Sequence, residues 1–157
     1  MAAKKTKDNI ICDNRKARHE YRFLEVFEAG IELRGTEVKS LRTGKGNLQD
    51  AYGKIENGEI FLINMHISPY EMGNRYNHDP KRPRRLLLHK SEIRGLFAKV
   101  REKGLTLVPI KVYFSGSKVK VEIALAQGKK LHDKREDLIN KAVKRETERD
   151  LKERSRE

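Results

Sequence analysis

Between Lys118 and Leu125 the chain alternates. Val119, Val121, Ile123 and Leu125 take every second position, with Lys118, Lys120 and Glu122 between them. A period of two is a strand with one buried face. The pattern stops at Gly128, beyond which there is no further Gly or Pro and apolar residues become sparse. The chain therefore changes there from a packed body to a charged arm. The expected organisation is a flexible lead over residues 1–13, a folded body over 14–127 and a tail over 128–157. A body that ends on a strand and hands off a basic arm docks with one part and reaches with the other.

Charge says what such a body meets. The chain carries 36 Lys+Arg against 23 Asp+Glu, a net of +13. Residues 128–157 hold 11 Lys+Arg and 8 Asp+Glu, so +3 belongs to the tail and +10 to the rest. A field of that sign attracts polyanions, nucleic acid first. An anionic membrane is the second candidate, but no lipidation motif or basic amphipathic helix with aromatic anchors supports it. No run approaches the roughly 20 apolar residues of a membrane span. No apolar signal segment follows the basic N-terminus. With one cysteine, Cys12, there is no disulfide framework. The expectation is a soluble cytoplasmic protein.

Along the body, Asn14-Arg15-Lys16-Ala17-Arg18-His19-Glu20-Tyr21 puts three cations in four residues beside an Asn, a His and a Tyr. Such a group can grip phosphate and stack on a base, or it can be a solvated entry to a strand. Tyr21 to Leu33 is rich in aromatic and β-branched residues and predicts a strand, broken or bulged at Gly30. Glu28 just before the break is either surface charge or an acceptor for base edges. Thr36 offers an N-cap for a short helix with Glu37 in its first turn. Val38 and Leu41 would face the core, and Lys39 and Arg42 share another face. Gly44 and Gly46 stop the helix.

Tyr52 to Ile55 and Glu59 to Ile63, joined through Asn57-Gly58, predict a β-hairpin with a type I′ turn. A further strand is expected through Met65 to Ile67, ended by Ser68-Pro69. Glu71 to Arg85 predicts a loop whose end carries Lys81, Arg82, Arg84 and Arg85; long loops are usually functional or mobile. Arg84 and Arg85 are accordingly candidate RNA contacts. Leu86-Leu87-Leu88 predicts a short strand running into His89. Ser91 can cap a helix with Ile93, Leu96, Phe97 and Val100 on its apolar face, closed by Gly104. Leu105 to Phe114 and Lys118 to Leu125 make a second hairpin. About six strands with two or three helices, mainly β and mostly antiparallel, predict a small barrel of oligonucleotide-binding type with a C-terminal tail.

Catalytic chemistry is hard to place. There is no paired Cys and no His-Glu-x-x-His, the five His are scattered, and no Gly-rich phosphate loop follows a strand. His132-Asp133 resembles the dipeptide of metal phosphohydrolases, without their other ligands. The expectation is no metal, no cofactor and no enzyme.

The longer motifs are more specific. N-R-K-A-R-H-E-Y at 14–21, F-E-A-G at 27–30, G-T-E-V-K-S-L-R at 35–42, R-L-L-L-H-K at 85–90, K-G-L-T-L-V-P at 103–109 and G-K-K-L-H-D-K-R at 128–135 resemble the SsrA-binding protein family, SmpB. The resemblance runs from Asn14 to about Arg149. It implies an oligonucleotide-binding-type barrel that binds the tRNA-like domain of transfer-messenger RNA and delivers it to stalled ribosomes for trans-translation. It implies that the tail occupies the decoding centre and the empty mRNA channel of the small subunit, against rRNA, and is helical there. The outcome implied is ribosome rescue and tagging of the nascent peptide for degradation. Neither part would catalyse a reaction: alanyl-tRNA synthetase charges the RNA and elongation factor Tu delivers it. Carried over position by position, the RNA contacts are Asn14, Arg15, Lys16, His19, Glu28, Lys39, Arg42, Leu87 and His89. Some relatives carry Asn where His89 stands, and both side chains donate a hydrogen bond. The decoding-centre segment of the tail is Lys129, Lys130, His132, Asp133, Lys134 and Arg135. The rival reading is a general RNA-binding or ribosomal protein on the same fold.

The tail's composition agrees with an arm that orders on its target. Residues 136–157 are dense in Glu, Lys and Arg, with Glu148–Lys152 and Asp150–Arg154 at helix-supporting i, i+4 spacing. Its apolar stripe is thin, so the free tail is expected to be largely disordered.

Overall fold

The computed structural model describes residues 10–70 and 79–156, apart from the side chains of residues 102 and 103. Residues 1–9 of the expected flexible lead and residues 71–78 of the expected loop lie outside the described residues. The chain divides into two compact units, Met1–Gln127 and Gly128–Glu157.

The first unit is a barrel. Its strands are β1 (Ile10–Asp13), β2 (Tyr21–Ile31), β3 (Gly46–Asn47), β4 (Tyr52–Glu56), β5 (Glu59–Ile63), β6 (His66–Ile67), β7 (Arg84–Leu87), β8 (Thr106–Ser115) and β9 (Lys118–Gly128). Its helices are α1 (Arg15–Glu20), α2 (Gly35–Arg42) and α3 (Lys90–Lys103). The main sheet runs β1-β8-β4-β5-β7-β2-β9, and β8 also pairs with β9, so six strands close on themselves and β1 adds a seventh beside β8. Every pairing for which the register is described is antiparallel. β3 and β6 form a separate two-stranded ribbon. The expected mainly antiparallel β architecture is present.

Alternation fills the barrel. Ile60 and Leu62 of β5, Leu86 of β7, Leu107 and Val112 of β8, and Val121, Ile123 and Leu125 of β9 are buried in one cluster with Leu41 of α2 and with Ile93 and Leu96 of α3. α1 covers a second patch, where Ala17 packs with Val108 and Ala126. That explains why β8 is buried on both faces from Leu107 to Ile110.

Both expected hairpins form. Asn57 and Gly58 take φ of 51° and 75°, as the two-residue turn between β4 and β5 requires. Several boundaries differ from expectation for identifiable reasons. Residues 10–13 pair with β8 as β1 instead of forming part of a flexible lead. The segment from Arg15 to Glu20 is a helix, not a strand entry, because the Asn14 side chain caps it by accepting the Ala17 N–H. β2 passes through Gly30 without a break. Gly30 pairs with Leu87, and a Cβ there would stand 3.2 Å from the Leu87 Cβ, so the glycine serves close approach. α3 is capped at His89, not Ser91, and Phe97 is 47% exposed, outside the core where periodicity put it. α2 begins at Gly35, and its N-cap is Arg34, not Thr36. The Arg34 backbone N–H donates to Glu37 Oε1 at 2.8 Å.

Glu37 does more than favour the helix dipole. Its side chain is 6% exposed, and Arg84, fully buried, donates from Nε to Glu37 Oε2 at 2.6 Å. Arg84 also donates to the Met65 carbonyl at 2.7 Å and the Pro80 carbonyl at 3.1 Å. Arg82 donates from Nε to Glu37 Oε1 at 3.1 Å. Arg84 therefore belongs to strand β7 and the interior, not to a loop. Burial pushes the Glu37 carboxyl up, but the bonds from Arg82 and the Arg34 N–H and the charge of Arg84 outweigh it and leave the group below its ordinary value.

Glu37→Gln strands a buried guanidinium, and removing one partner of such a pair costs about 3–5 kcal/mol. Urea denaturation at pH 7 should show that loss. The Glu37 pKa is depressed by folding, so its contribution is complete above the unfolded value of about 4.3 and disappears as pH falls through the folded one. The gap between wild type and Glu37→Gln should therefore narrow below about pH 4.3. A gap that stays constant on acidification would contradict the assignment.

Candidate nucleic-acid interface

β7 alternates in and out. Arg84 and Leu86 point into the barrel, so Arg85 and Leu87 must point out. Arg85 is held between Glu32, at 3.0 Å, and Glu59, at 3.2 Å. Leu87 is 50% exposed above Gly30. His89, the exposed N-cap of α3, follows at the strand's end. From the adjacent strand β2, exposed Glu28 enters the same space. The hydroxyl of Tyr113, a buried residue of β8, donates to its Oε2. Glu28, Glu59, Arg85, Leu87 and His89 line a cleft of about 560 Å³, shared with Lys90 and Glu92 of α3 and Lys120 of β9. The cleft offers three carboxylates, of which Glu59 is paired with Arg85, an imidazole, an apolar shelf and three cations.

Four of the expected contacts, Glu28, Arg85, Leu87 and His89, are thus together. The others sit elsewhere on the unit. Arg15 and Lys16 are exposed on α1, where Lys16 Nζ donates to Asp50 Oδ1 at 3.3 Å, and His19 is half-buried. That hydrogen bond holds the Lys16 amine above its ordinary pKa. Lys39 and Arg42 are exposed in the last turn of α2, with Lys39 Nζ 5.6 Å from the ring centre of Tyr70.

Two of the expected contacts are buried and engaged inside the fold. Asn14 is 7% exposed, and besides capping α1 its Nδ2 donates to the Pro109 carbonyl at 3.0 Å and the Leu48 carbonyl at 3.4 Å. β8 is irregular between Pro109 and Lys111, and Asn14 takes up the carbonyls left there: its backbone N–H bonds the Ile110 carbonyl at 2.7 Å. Its amide is fully engaged inside the fold. Arg84 is likewise spent on Glu37 and two carbonyls.

Lys120 and Tyr113 were missed. The outward place of Lys120 was readable from the alternation of β9, but which strand it would face was not. Nothing in the sequence links Tyr113 to Glu28.

The second unit holds α4 (Leu131–Arg154), 24 residues with none buried. Lys129 is bonded to Asp137, and His132 Nδ1 lies 3.5 Å from Asp133 Oδ1 with the imidazole 80% exposed. Lys130 is the N-cap, while Lys134 and Arg135 lie in the first turns. His132, Asp133 and Glu136 bring one ligand atom each within 4.8 Å of the others. One turn of an exposed helix produces this spacing by itself, and it carries no metal assignment. No helix among the described residues is long and apolar enough to cross a membrane.

Nucleophilic chemistry at Cys12 is disfavoured. Burial in β1 pushes its thiol up to about 11, against a hydrogen bond with the Val112 backbone that lowers it, and Asp13 pushes it further up. At pH 8 the thiolate fraction is then roughly a hundredfold below that of an ordinary cysteine. Iodoacetamide labelling of native protein at pH 8 should be slower by about that factor than labelling in denaturant. Equal rates would show the thiol to be accessible and unperturbed.

Comparison with known proteins follows the same lines. The family model described as SmpB protein matches residues 11–153. The SsrA-binding protein of Desulforamulus reducens is 61% identical over 160 aligned positions, covering 99% of this chain and 99% of that protein. That of Pelotomaculum thermopropionicum is 60% identical, covering 94% and 96%. A solved chain described under "tmRNA-SmpB: a journey to the center of the bacterial ribosome" is 54% identical, with a TM-score of 0.65, over 76% of this chain and 85% of that one. With the family model spanning nearly the whole chain and relatives about 60% identical over almost their full length, this chain belongs to the SmpB family of SsrA-binding proteins.

Proposed function

We propose that the barrel binds the tRNA-like domain of transfer-messenger RNA and that the protein carries this RNA to stalled ribosomes for trans-translation. What supports the reading most is the convergence of Glu28, Leu87 and His89 on one cleft, with Arg85 and Lys120 at its walls. The carboxylate accepts from base edges, the leucine carries a base face, and the cations meet phosphate. Arg15, Lys16, His19, Lys39 and Arg42 supply further phosphate contacts from α1 and α2. The protein acts in the cytoplasm as a binding factor without catalysis of its own. Charging by alanyl-tRNA synthetase and delivery by elongation factor Tu act on the RNA it holds.

The tail reads differently. α4 has no buried residue, so its helix rests on its own backbone bonds and propensity, which are marginal in water. In a channel of rRNA phosphate, Lys130, Lys134 and Arg135 gain partners, Lys129 exchanges Asp137 for phosphate, and His132 can stack on an exposed base or bond a phosphate. The helix is thus partly populated when free and fixed at the decoding centre and in the empty mRNA channel.

Two experiments test these assignments. Glu28→Gln and His89→Ala should each weaken binding of the tRNA-like domain, roughly ten- to a hundredfold for loss of a charged hydrogen bond in the case of Glu28. Wild-type affinity in both would remove the cleft from the RNA site. Truncation after Gly128 should leave that affinity almost unchanged while abolishing tagging on stalled ribosomes. Loss of RNA binding on truncation would overturn the division of labour.

A further inference from the structure

The exposure of Phe97 needs an explanation. Ile93 and Leu96 bury one side of α3, and Phe97 stands outside that row. On the side away from Ile93 and Val100, its neighbours along the helix are cations. Lys90, Arg94, Phe97 and Arg101 fall at i, i+4, i+7 and i+11, and all four are exposed. At 3.6 residues per turn they lie within about 60° of arc, on one stripe about 16 Å long. Among the described residues none forms an ion pair with Lys90, Arg94 or Arg101. The neighbouring cation Lys99 is already committed to Glu25 at 2.5 Å.

An aromatic ring set between free cations suits a single nucleic-acid strand. Bases stack on the ring without regard to sequence, and phosphates lie against the cations. A stripe with one aromatic group is too poor in apolar surface for a helix-in-groove protein partner or for insertion into a lipid surface. The stripe is also continuous with the cleft, because Lys90 belongs to both. Sixteen ångströms is the rise of about five stacked nucleotides.

We infer that α3 carries a second RNA contact. An unpaired nucleotide of the same RNA that occupies the cleft stacks on Phe97, with flanking phosphates on Arg94 and Arg101. This rests on the assignment of the cleft to that RNA. It makes α3 a reading platform as well as a cover for the barrel.

The test uses the full chain and the tRNA-like domain of transfer-messenger RNA, with thermal melting as a control for folding. Phe97→Tyr keeps the ring and should bind within about twofold of wild type, whereas Phe97→Ala and Phe97→Leu should bind roughly tenfold more weakly with unchanged melting. Arg94→Ala and Arg101→Ala should each lower the log–log salt slope by about 0.7. The chain has no tryptophan, so Phe97→Trp introduces a single indole whose fluorescence should be quenched on RNA addition. Wild-type affinity in Phe97→Leu together with an unquenched Phe97→Trp would overturn the contact. So would a loss of affinity seen only with a lowered melting temperature. Unchanged binding of the free RNA with weakened binding to ribosomes or to anionic vesicles would overturn the assigned occupant. Failure of the wild-type chain to bind the RNA would instead overturn the cleft assignment beneath it.

Discussion

A guanidinium without access to water organises the barrel unit. Arg84 is fully buried, and removing such an ion from water costs several kcal/mol unless its donors are met. They are met by Glu37 of α2, the Met65 carbonyl ahead of β6 and the Pro80 carbonyl ahead of β7. One ion thus ties together three stretches that are remote in sequence. It also decides the phase of β7. With Arg84 inside, the pleat puts Arg85 and Leu87 outside, and the cleft acquires a cationic wall and an apolar shelf. A one-residue slip would exchange them and empty the site. α2 inherits its position from the same carboxylate, and with it the outward Lys39 and Arg42.

Asn14 plays a comparable part at the other side of the barrel. A proline inside β8 supplies no N–H, and the pairing with β9 shifts register just after it. The carbonyls of Pro109 and Ile110 then need donors from outside the ladder, and Asn14 supplies both from side chain and backbone. The same side chain caps α1, so the helix that exposes Arg15 and Lys16 is fixed to the irregular point of β8. In both places a polar residue with the composition of a ligand contact is consumed in holding the residues beside it in place.

What could be read from the sequence divides along this line. Alternation exposed the β4–β5 and β8–β9 hairpins, because period-two burial and an Asn-Gly turn are local signals. The apolar rows of α2 and α3 were also visible, through Leu41, Ile93 and Leu96. The failures came where a partner lies far away. Glu37 and Arg84 are 47 residues apart, and Asn14 and Pro109 are 95 apart, so neither pair leaves a local trace. Arg84 read as one more cation in a basic loop, and Gly30 read as a break because its use is the approach of Leu87. Phe97 failed in the opposite sense. Periodicity assigns any apolar residue next to a buried row to the core, and only the packed barrel shows that the row is already full at Ile93 and Leu96.

The two units obtain order from different sources. In the barrel, the proposed binding groups are fixed in advance: Glu28 is held by Tyr113, Arg85 by two glutamates, and Leu87 by the strand beneath it. Little entropy remains to be lost there on binding, and affinity follows from how well the cleft is set. α4 has no buried residue, and apart from the Lys129–Asp137 pair at its start its Lys and Arg side chains have no ion partner among the described residues, so they retain most of their freedom until a partner fixes them. A rigid clamp followed by a loosely held helix suits the proposed function, in which one RNA is held continuously and another is entered only when the path is vacant. Apolar docking residues on the tail would work against this, because a tail bound firmly to its own barrel would have to be released before it could enter a channel. Under the proposed function the sparse composition after Gly128 is a requirement, and the same sparseness marked the boundary in the sequence.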